Sequence, residues 1–498
     1  MQTSVPWRQG AAFGIAVAAF AALRLACLRN DLWLDEIWSL QLVGLAHSPL
    51  QILTRLHSEN NHPLNSLWLY ALGPTAPEWS YRLLSWVTGT AAVGLAGALA
   101  RGQFRRMHPA DSRGGAEAAG LIATVLFGGS YLFVLYSSEA RGYAPALCFC
   151  LLAASILCRA PASPLSGWAP AYWAACALGL LGHAVSAQVV IGGLGYSLVA
   201  ATQSSESGKG RVARLLWWHA LPVVLLGCYF LLFFRRLVPG GATFAGTNHV
   251  PLGGVFGDLA SFILGFPTPL GLAVALPFLV VASLVSLGLV FHRDRALAVF
   301  YALVVFITPL PGIWSATESV VFPRFLFISA AGALLLIGYP LARAWAAGGW
   351  ARPVCAGALG LFLLGSGLQV RRLLQEGRGE YRQALRYAVQ QTPGAEVTVS
   401  TDFSEFRNST VINHYGPAVA GPGRSIRYLP SLGWRAPGPQ WLFVERIDHE
   451  PPAPDHLYAA GVYYQLERVF PHAPLSGWDW YLYRNTLLLG FPPAAETR

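Results

Sequence analysis

Two adjacent acidic residues, Asp35 and Glu36, stand between aromatic residues in the segment WLDEIW at 33–38. Such a pair of carboxylates is suited to take a proton from an attacking hydroxyl group or to hold a divalent cation. A purely structural interpretation is that they are solvated acids in the first turn of a helix, where negative charge favours the helix dipole. The motif alone leaves these interpretations open.

Two more polar segments contain residues suited to a binding site. The segment NNHPLN at 60–65 is either a turn before a helix or a polar pocket lined by Asn61 and His62. The segment SSEARGY at 137–143 offers Glu139, Arg141 and Tyr143, either as an interfacial ion pair or as part of a site. The number of apolar stretches between the three polar segments places them on the same side of a membrane. This agreement favours one shared site.

The composition is that of a membrane protein. Of the 498 residues, 54% are hydrophobic and only 12% are charged, whereas about a quarter of a soluble domain is charged. The net charge of +10 comes from arginines in short segments between apolar runs, a pattern of membrane orientation rather than of nucleic-acid binding. The sequence contains no GxxxxGK[ST] motif and no strand-flanked GxGxxG motif for nucleotide phosphates. We therefore expect a membrane-dissolved substrate and no nucleic-acid partner.

Eleven apolar stretches are candidates for membrane spans, each of which needs about 20 residues. Basic residues are more frequent in the loops that are cytoplasmic if the N-terminus is cytoplasmic, and this orientation is therefore predicted. An odd number of spans then places the C-terminal region outside. The fifth and sixth stretches are short and are separated by Gly182 and His183, so one long broken helix is an alternative. The predicted spans are 11–28, 83–100, 116–135, 142–158, 168–182, 185–202, 216–234, 268–291, 297–312, 325–342 and 353–370.

Residues 371–498 differ in pattern from the transmembrane domain predicted for 1–370. Helical periodicity in 380–391 and strand patterns at 397–400, 441–445, 463–470 and 480–484 predict a small α/β domain. Most of its tryptophans are assigned to its core, and the sequon Asn408-Ser409-Thr410 is interpreted as coincidental. The predicted fold class is an α-helical polytopic membrane protein with about 11 transmembrane helices and a small C-terminal extracytoplasmic α/β domain.

The acidic pair after the first span, the His-Pro turn in the same loop and the Ser-x-Glu-Ala-Arg-x-Tyr segment after the third span together resemble the GT-C superfamily of membrane glycosyltransferases. The nearest branch is that of the protein O-mannosyltransferases and aminoarabinose transferases, the family 39-like enzymes. The resemblance implies a polyprenyl-phosphate-linked sugar donor and inversion at the anomeric carbon. It implies that Asp35 is the catalytic or metal-proximal carboxylate, that Glu36 supports it, and that His62 and Glu139 line the cavity. Leu64 stands where the family often has a second proline, which leaves the specificity of this turn open.

A lipid phosphate needs cationic ligands, and arginine binds phosphate in a bidentate manner. Arg324, in the segment FPRF at 322–325, resembles the arginine–aromatic pair of many relatives. Other candidates are Arg141, Arg235 and Arg236 and, more weakly, His249. For Arg235 and Arg236 we favour the structural interpretation, in which both side chains extend from a helix end to the headgroups.

The combined prediction is an inverting glycosyltransferase that moves a sugar from a polyprenyl-phosphate carrier to a hydroxyl group of a lipid, glycan or protein. His183 is either a residue of this site or an ordinary histidine of the helix bundle. A divalent metal ion bound by Asp35 and Glu36 is the one cofactor considered. Lys209 is the only lysine, a composition typical of GC-rich bacterial genomes, and we expect a location in the bacterial inner membrane with the site on its outer face. The alternative function is a transporter or flippase of lipid-linked saccharides.

Overall fold

The computed structural model describes residues 6–110, 112–159, 167–236, 251–310, 322–402, 405–431 and 434–489, which form two compact units. The first, the helical unit, holds the described residues of 6–28, 43–236, 251–310 and 322–370. The second, the sheet unit, holds 29–42 together with the described residues of 371–489. The segment that carries Asp35 and Glu36 therefore belongs to the same unit as the C-terminal region.

Helices make up nearly all regular structure from the start of the described chain to residue 376. Some of them are followed by a short 3-10 or π segment, such as Cys27–Arg29, Phe234–Arg236 and Ala302–Ile307. The helices are α1 (Pro6–Ala26), α2 (Leu34–Gly44), α3 (Pro49–Thr54), α4 (Pro63–Leu72), α5 (Glu78–Tyr81), α6 (Leu83–Met107), α7 (Ser112–Gly129), α8 (Tyr131–Tyr136), α9 (Tyr143–Arg159), α10 (Ala169–Gly182), α11 (Ala187–Thr202), α12 (Gly208–Leu232), α13 (Leu252–Leu264), α14 (Leu276–Phe291), α15 (Arg295–Tyr301), α16 (Phe327–Ala347) and α17 (Ala351–Glu376).

Seven helices of the described chain are long and apolar enough to cross a membrane. Four more of the predicted spans coincide with shorter apolar helices, at Gly114–Gly129, Tyr143–Arg159, Ala169–Gly182 and Arg295–Ile307. Each of the eleven predicted stretches thus contains a helix within the described residues, and the predicted polytopic helical fold is confirmed. The fifth and sixth stretches are two helices, since α10 ends at Gly182 and a 3-10 turn at Ala184–Ser186 precedes α11.

Glycines let α6 pack closely against its neighbours in the helical unit. A methyl group at Gly97 would overlap the side chains of Thr124 in α7 and Phe13 in α1. A methyl group at Gly89 would overlap the side chain of Ser137, in the turn between α8 and α9. Small residues at such positions allow helix backbones to approach each other within a membrane, where packing rather than hydrophobic burial holds helices together.

The sheet unit contains one mixed six-stranded sheet with two further helices, α18 (Tyr381–Gln391) and α19 (Glu405–Ala420). The strand order is β2-β1-β3-β6-β5-β4; β1 is parallel to β2 and β3, and the remaining neighbours are antiparallel. The strands are β1 (Glu396–Thr401), β2 (Ser425–Tyr428), β3 (Trp441–Arg446), β4 (His456–Ala459), β5 (Val462–Phe470) and β6 (Asp479–Asn485). The predicted α/β character of this region is confirmed.

Large aromatic side chains fill the interior of the sheet unit. Trp441, Trp478 and Trp480 are buried, which confirms the assignment of most tryptophans to the core. Trp480 donates a short hydrogen bond to Asn408 Oδ1, and Asn408 Nδ2 donates to Thr401 Oγ1 at 2.9 Å. Asn408 is fully buried, so the interpretation of its sequon as coincidental agrees with its structural role.

A buried histidine joins two carboxylates close to the start of β6. His472 Nδ1 lies 2.6 Å from Asp479 Oδ1, and His472 Nε2 lies 3.5 Å from Asp448 Oδ1. Burial alone would lower the pKa of His472, but hydrogen bonds to and charges of the two aspartates outweigh it and raise the pKa to about 9. The imidazole is therefore protonated at pH 7 and forms a buried ion pair.

The raised pKa predicts a pH-dependent contribution to stability. Because the pKa is higher in the folded state, the contribution is complete below pH 6.5 and is lost as the pH rises to about 9; its full size is about 3 kcal/mol. Thermal unfolding of the purified protein between pH 6 and 10 checks this. The His472→Gln variant should show a smaller loss on alkalinisation than the wild type. The control is His456→Gln, at an exposed histidine of β4, and equal losses in all three proteins would contradict the prediction.

Candidate active site

Asp35 and Glu36 lie in the first turn of α2 and are both buried. Glu36 Oε2 accepts a hydrogen bond from the backbone N–H of Trp33 at 3.3 Å, and the Ser39 hydroxyl donates to the Asp35 carbonyl at 2.7 Å. A glutamate that returns to the N–H group just before its helix is half of a capping box. Glu36 therefore has a structural role at this helix start, while the carboxylate of Asp35 is the better candidate for chemistry.

The helical unit brings a second group of predicted residues together, in what we call the basic cluster: His62, Arg141, Tyr143, His183 and Arg324. The five residues come from four places in the chain. His62 precedes α4, Arg141 lies between α8 and α9, and Tyr143 begins α9; His183 follows α10 and Arg324 precedes α16. Residues far apart in sequence thus contribute to one polar region.

Arg141 is the central residue of the basic cluster and is only 3% exposed. Its Nη2 atom donates to Asn60 Oδ1 at 3.1 Å and lies 3.1 Å from His62 Nε2. Its backbone carbonyl accepts a hydrogen bond from Ser85 Oγ at 3.0 Å, and its guanidinium carbon lies 5.2 Å from the centre of the Tyr143 ring. These contacts fix a guanidinium group in one orientation.

Three rings stack beside this guanidinium. The ring centres of His62 and His183 are 4.8 Å apart at an angle of 27°, and those of Tyr143 and His183 are 4.5 Å apart. The Phe327 ring meets Tyr143 edge to face at 5.8 Å. A flat, partly apolar wall of this kind is suited to contact the face of a sugar ring or an isoprenoid chain.

Arg324 supplies the second guanidinium of the cluster. Burial lowers the pKa of His62 well below 6.5, and the charges of Arg141 and Arg324 lower it further. Burial, Arg141 and Arg324 lower the pKa of His183 to about 3. Both imidazoles are therefore neutral at pH 7, and the positive charge of the cluster resides on the two arginines. Arg324 also packs over Phe322, with 4.0 Å between its guanidinium carbon and the ring centre.

The asparagines of the NNHPLN segment shape the turn that presents His62. Pro63 is the first residue of α4, and His62 before it is extended and makes no capping hydrogen bond with its side chain. Asn61 Nδ2 donates to the carbonyls of Ile52 and Leu56 at 3.0 and 2.7 Å. Asn65 Nδ2 donates to the Ala140 carbonyl at 2.7 Å, which links the turn to the Arg141 loop. The Asn61 side chain thus holds the preceding loop and does not cap the helix.

Two glycines allow the loops of the basic cluster to touch. A methyl group at Gly142 would overlap the carbonyl oxygen of Gly182 and would lie 2.8 Å from the Cβ atom of His62. A methyl group at Gly182 would lie 2.8 Å from the backbone nitrogen of Ala146. This backbone contact brings Tyr143 beside His183.

The remaining predicted residues have different surroundings. Glu139 is fully buried in the loop of Arg141, and its backbone carbonyl accepts from the Arg141 N–H at 2.8 Å. Arg235 and Arg236 are exposed in the 3-10 turn after α12, as expected of side chains that extend to headgroups. His249 lies outside the described residues. Asn60, which accepts a hydrogen bond from Arg141, was not among the predicted site residues. Its place two residues before His62 was the one signal that could have indicated it.

No group of three or more His, Cys, Asp or Glu side chains suited to a metal ion occurs among the described residues. Within the described chain, Asp35 and Glu36 therefore do not belong to a group of three such side chains. Mg²⁺ is commonly bound through one or two carboxylates together with waters and substrate phosphates, so the two carboxylates are compatible with such an ion.

By sequence, the chain matches no family model and no curated protein. Similar folds occur among solved structures. The apo oligosaccharyltransferase of Archaeoglobus fulgidus has a TM-score of 0.53 and 10% identity, over 87% of this chain and 65% of that one. AglB of the same organism, in complex with an inhibitory peptide and a dolichol-phosphate, has a TM-score of 0.50 and 11% identity, over 87% of this chain and 69% of that one.

A third solved structure is ArnT of Cupriavidus metallidurans bound to undecaprenyl phosphate. It has a TM-score of 0.48 and 14% identity, over 86% of this chain and 92% of that one. The chain spans less than two thirds of the apo oligosaccharyltransferase. At these identities the likeness concerns the fold. The chain shares its fold with these oligosaccharyltransferases, and the prediction of a GT-C-like fold is confirmed.

The contact between Gly142 and Gly182 predicts that Gly142→Ala is destabilising. The added methyl group has no room, so the loops must separate at a cost of about 1–3 kcal/mol. The matched control is Gly94→Ala in α6, where a methyl group meets no atom within 4 Å. The melting temperature and the monodisperse yield of the purified proteins check this. Equal values for Gly142→Ala and Gly94→Ala would show that the close contact is not required.

Proposed function

We propose that this chain is an inverting glycosyltransferase that takes its sugar from a polyprenyl-phosphate carrier. The observation that carries the proposal is the basic cluster. In it, the charges of Arg141 and Arg324 help to lower the pKa of His62 and His183, so that these two buried imidazoles are neutral. Two positive charges near neutral hydrogen-bonding rings are complementary to a phosphate group that carries a sugar.

The loops of the basic cluster join apolar helices that are suited to a membrane. His183 separates the helix Ala169–Gly182 from the span Ala184–Thr202, and Arg324 stands at the start of the span Pro323–Ala347. A phosphate on a lipid chain lies at such helix ends when its chain is in the bilayer. AglB, one of the proteins with a similar fold, has been solved in complex with a dolichol-phosphate, a ligand of the same chemical class.

In the proposed reaction, the cluster binds the leaving group and the acidic segment activates the acceptor. The acceptor hydroxyl gives its proton to Asp35, and its oxygen attacks the anomeric carbon. The bond between that carbon and the phosphate oxygen breaks, and polyprenyl phosphate leaves with the bonding electrons. Arg324 and Arg141 stabilise the negative charge that grows on the phosphate. A single displacement of this kind inverts the anomeric configuration.

The other predicted residues take supporting roles in the proposal. Glu36 holds the start of α2 and supports Asp35, while Asn61, Glu139 and Tyr143 shape the donor cavity together with His62 and His183. The acceptor is proposed to be an envelope lipid, glycan or protein. We assign 1–370 to a transmembrane catalytic domain and 371–498 to an extracytoplasmic domain, with the N-terminus in the cytoplasm of a bacterial cell and the site on the outer face of its inner membrane.

Release of polyprenyl phosphate from a labelled polyprenyl-phosphate sugar tests the proposal. Purified protein with an extract of envelope acceptors should release it, whereas a transporter or flippase would move the label without release. Asp35→Asn should abolish release because the base is lost. Arg324→Ala should lower the rate about 10²- to 10³-fold, the usual effect of removing one donor to developing charge.

The control for this assay is Arg101→Ala, at a half-exposed arginine that pairs with Glu117. It should release polyprenyl phosphate at the wild-type rate. If Asp35→Asn and Arg324→Ala were as active as Arg101→Ala, or if the wild type moved the labelled lipid intact, the glycosyltransferase proposal would be refuted.

A further inference from the structure

We infer that Tyr415, in α19 of the sheet unit, is a positioning residue that fixes the start of α2 and thereby the orientation of the Asp35 carboxylate. The inference rests on the proposed function, in which Asp35 is the base. It adds a role for the C-terminal region in catalysis, because the described residues of the sheet unit that contact the acid-bearing segment 29–42 come from after residue 370.

The first contact is a buried hydrogen bond. The Tyr415 hydroxyl donates to the backbone carbonyl of Leu32 at 3.0 Å. Tyr415 is 2% exposed and Leu32 is fully buried, so water does not compete for this carbonyl. Leu32 stands three residues before Asp35, and only Trp33 and Leu34 separate the bonded carbonyl from the residue of interest. A shift at Leu32 is therefore transmitted to the first turn of α2.

The second contact is an ion pair between Arg382 and Asp31, the residue before Leu32. The backbone N–H of Arg382 donates to Asp31 Oδ2 at 2.9 Å, and its guanidinium Nη1 lies 3.5 Å from Asp31 Oδ1. The same guanidinium group stacks over the Tyr415 ring, with 4.6 Å between its carbon and the ring centre. Arg382 thus contacts both Asp31 and Tyr415, so these two residues cannot move independently of each other.

Contacts on both sides of Asp35 restrict the segment further. Before it, Asn30 Nδ2 donates to the carbonyl of Leu373 at 2.9 Å. After it, the Trp38 ring, one turn along α2, meets Phe406 of α19 edge to face at 5.4 Å. Helix α19 therefore contacts the acid-bearing segment twice, through Phe406 and through Tyr415, and Asp35 lies between the two contact points.

A general base acts only within hydrogen-bond reach of the proton that it takes, and a misplacement of 1 Å can cost about 10²-fold in rate. Buried backbone contacts at Leu32 and a ring contact at Trp38 are the kind of support that holds such a group to a fraction of an ångström. Tyr415 does not itself need to touch a substrate in this role.

The test compares Tyr415→Phe with Tyr428→Phe in the polyprenyl-phosphate release assay. Both changes remove one buried hydroxyl from the sheet unit, but Tyr428 Oη has no hydrogen-bond partner among the described residues. Tyr415→Phe should lower kcat about tenfold, with the donor KM and the melting temperature close to wild type. Tyr428→Phe should match the wild type in all three. Hydrogen–deuterium exchange should be faster at 30–38 in Tyr415→Phe alone.

Asp35→Asn in the same assay separates failure of this inference from failure of the proposed function. If Asp35→Asn is inactive and Tyr415→Phe has the wild-type kcat and exchange, the positioning role is refuted and the proposed function stands. If Tyr415→Phe loses melting temperature and donor affinity together, its role is general stability, and the inference is likewise refuted. If Asp35→Asn has wild-type activity, the proposed function fails and the inference fails with it.

Should Tyr415→Phe yield too little protein, Arg382→Gln against Arg382→Lys serves instead. The first removes the charge next to Asp31 and the second keeps it. The lysine variant should recover most of the kcat that the glutamine variant loses, with the same donor KM in both. Equal kcat values in the two variants would overturn the inference.

Discussion

The buried guanidinium group of Arg141 is the constraint on which the helical unit's site depends. Removal of a charge from water costs several kcal/mol unless hydrogen bonds and opposite charge compensate it. The Asn60 amide oxygen and the ring nitrogen of His62 supply hydrogen-bond partners at 3.1 Å each. Gly142, next to Arg141, leaves room for this approach, since a methyl group there would lie 2.8 Å from the Cβ atom of His62 and would overlap the Gly182 carbonyl oxygen. The charge, the two imidazoles and the two glycines therefore form one interdependent arrangement.

The arrangement also explains why the two histidines are not the cations of the site. Burial together with Arg141 and Arg324 lowers the pKa of His183 to about 3 and that of His62 well below its usual value. Neutral rings can stack and can donate or accept hydrogen bonds without adding repulsion to an already positive region. A phosphate group would offer these guanidinium groups charged hydrogen-bond acceptors, which a neutral saccharide does not have.

The acidic motif has a different physical environment from the basic cluster. Its segment packs within the sheet unit, where Tyr415 and Phe406 of α19 contact it. The capping contact of Glu36 with the Trp33 N–H accounts for one acid as a helix-start residue. The acidic segment is therefore supported by side chains from the C-terminal region.

Sequence reasoning predicted those features that have a local signal. Apolar length predicted the eleven candidate spans, and the spacing of Tyr381, Leu385 and Ala388 predicted α18. Short or polar elements were missed: β2 and β4 have four residues each and are half exposed, and α19 contains Asn408 and Pro417, which disguise its helical pattern.

Contacts between distant residues had no local signal at all. The sequence pattern could place His62 and Arg141 on one side of a membrane by counting spans, but not within 3.1 Å of each other. The packing of 29–42 with the C-terminal region was missed for the same reason. Because the segment lies early in the chain, the sequence analysis assigned it to the membrane domain. Its contacts with Tyr415 and Phe406 appear only in the tertiary structure.

The central claim is that the basic cluster binds the phosphate of a polyprenyl carrier, and direct binding tests it without any need for an acceptor. Native mass spectrometry of the purified protein with polyprenyl phosphate should show one bound lipid phosphate. Arg141→Gln should weaken this binding at least about tenfold, the effect of losing one charge-assisted contact of about 1.5 kcal/mol or more, while Arg101→Gln should bind as the wild type does. Equal binding by all three proteins, or binding of an uncharged polyprenol as tight as that of the phosphate, would contradict the account.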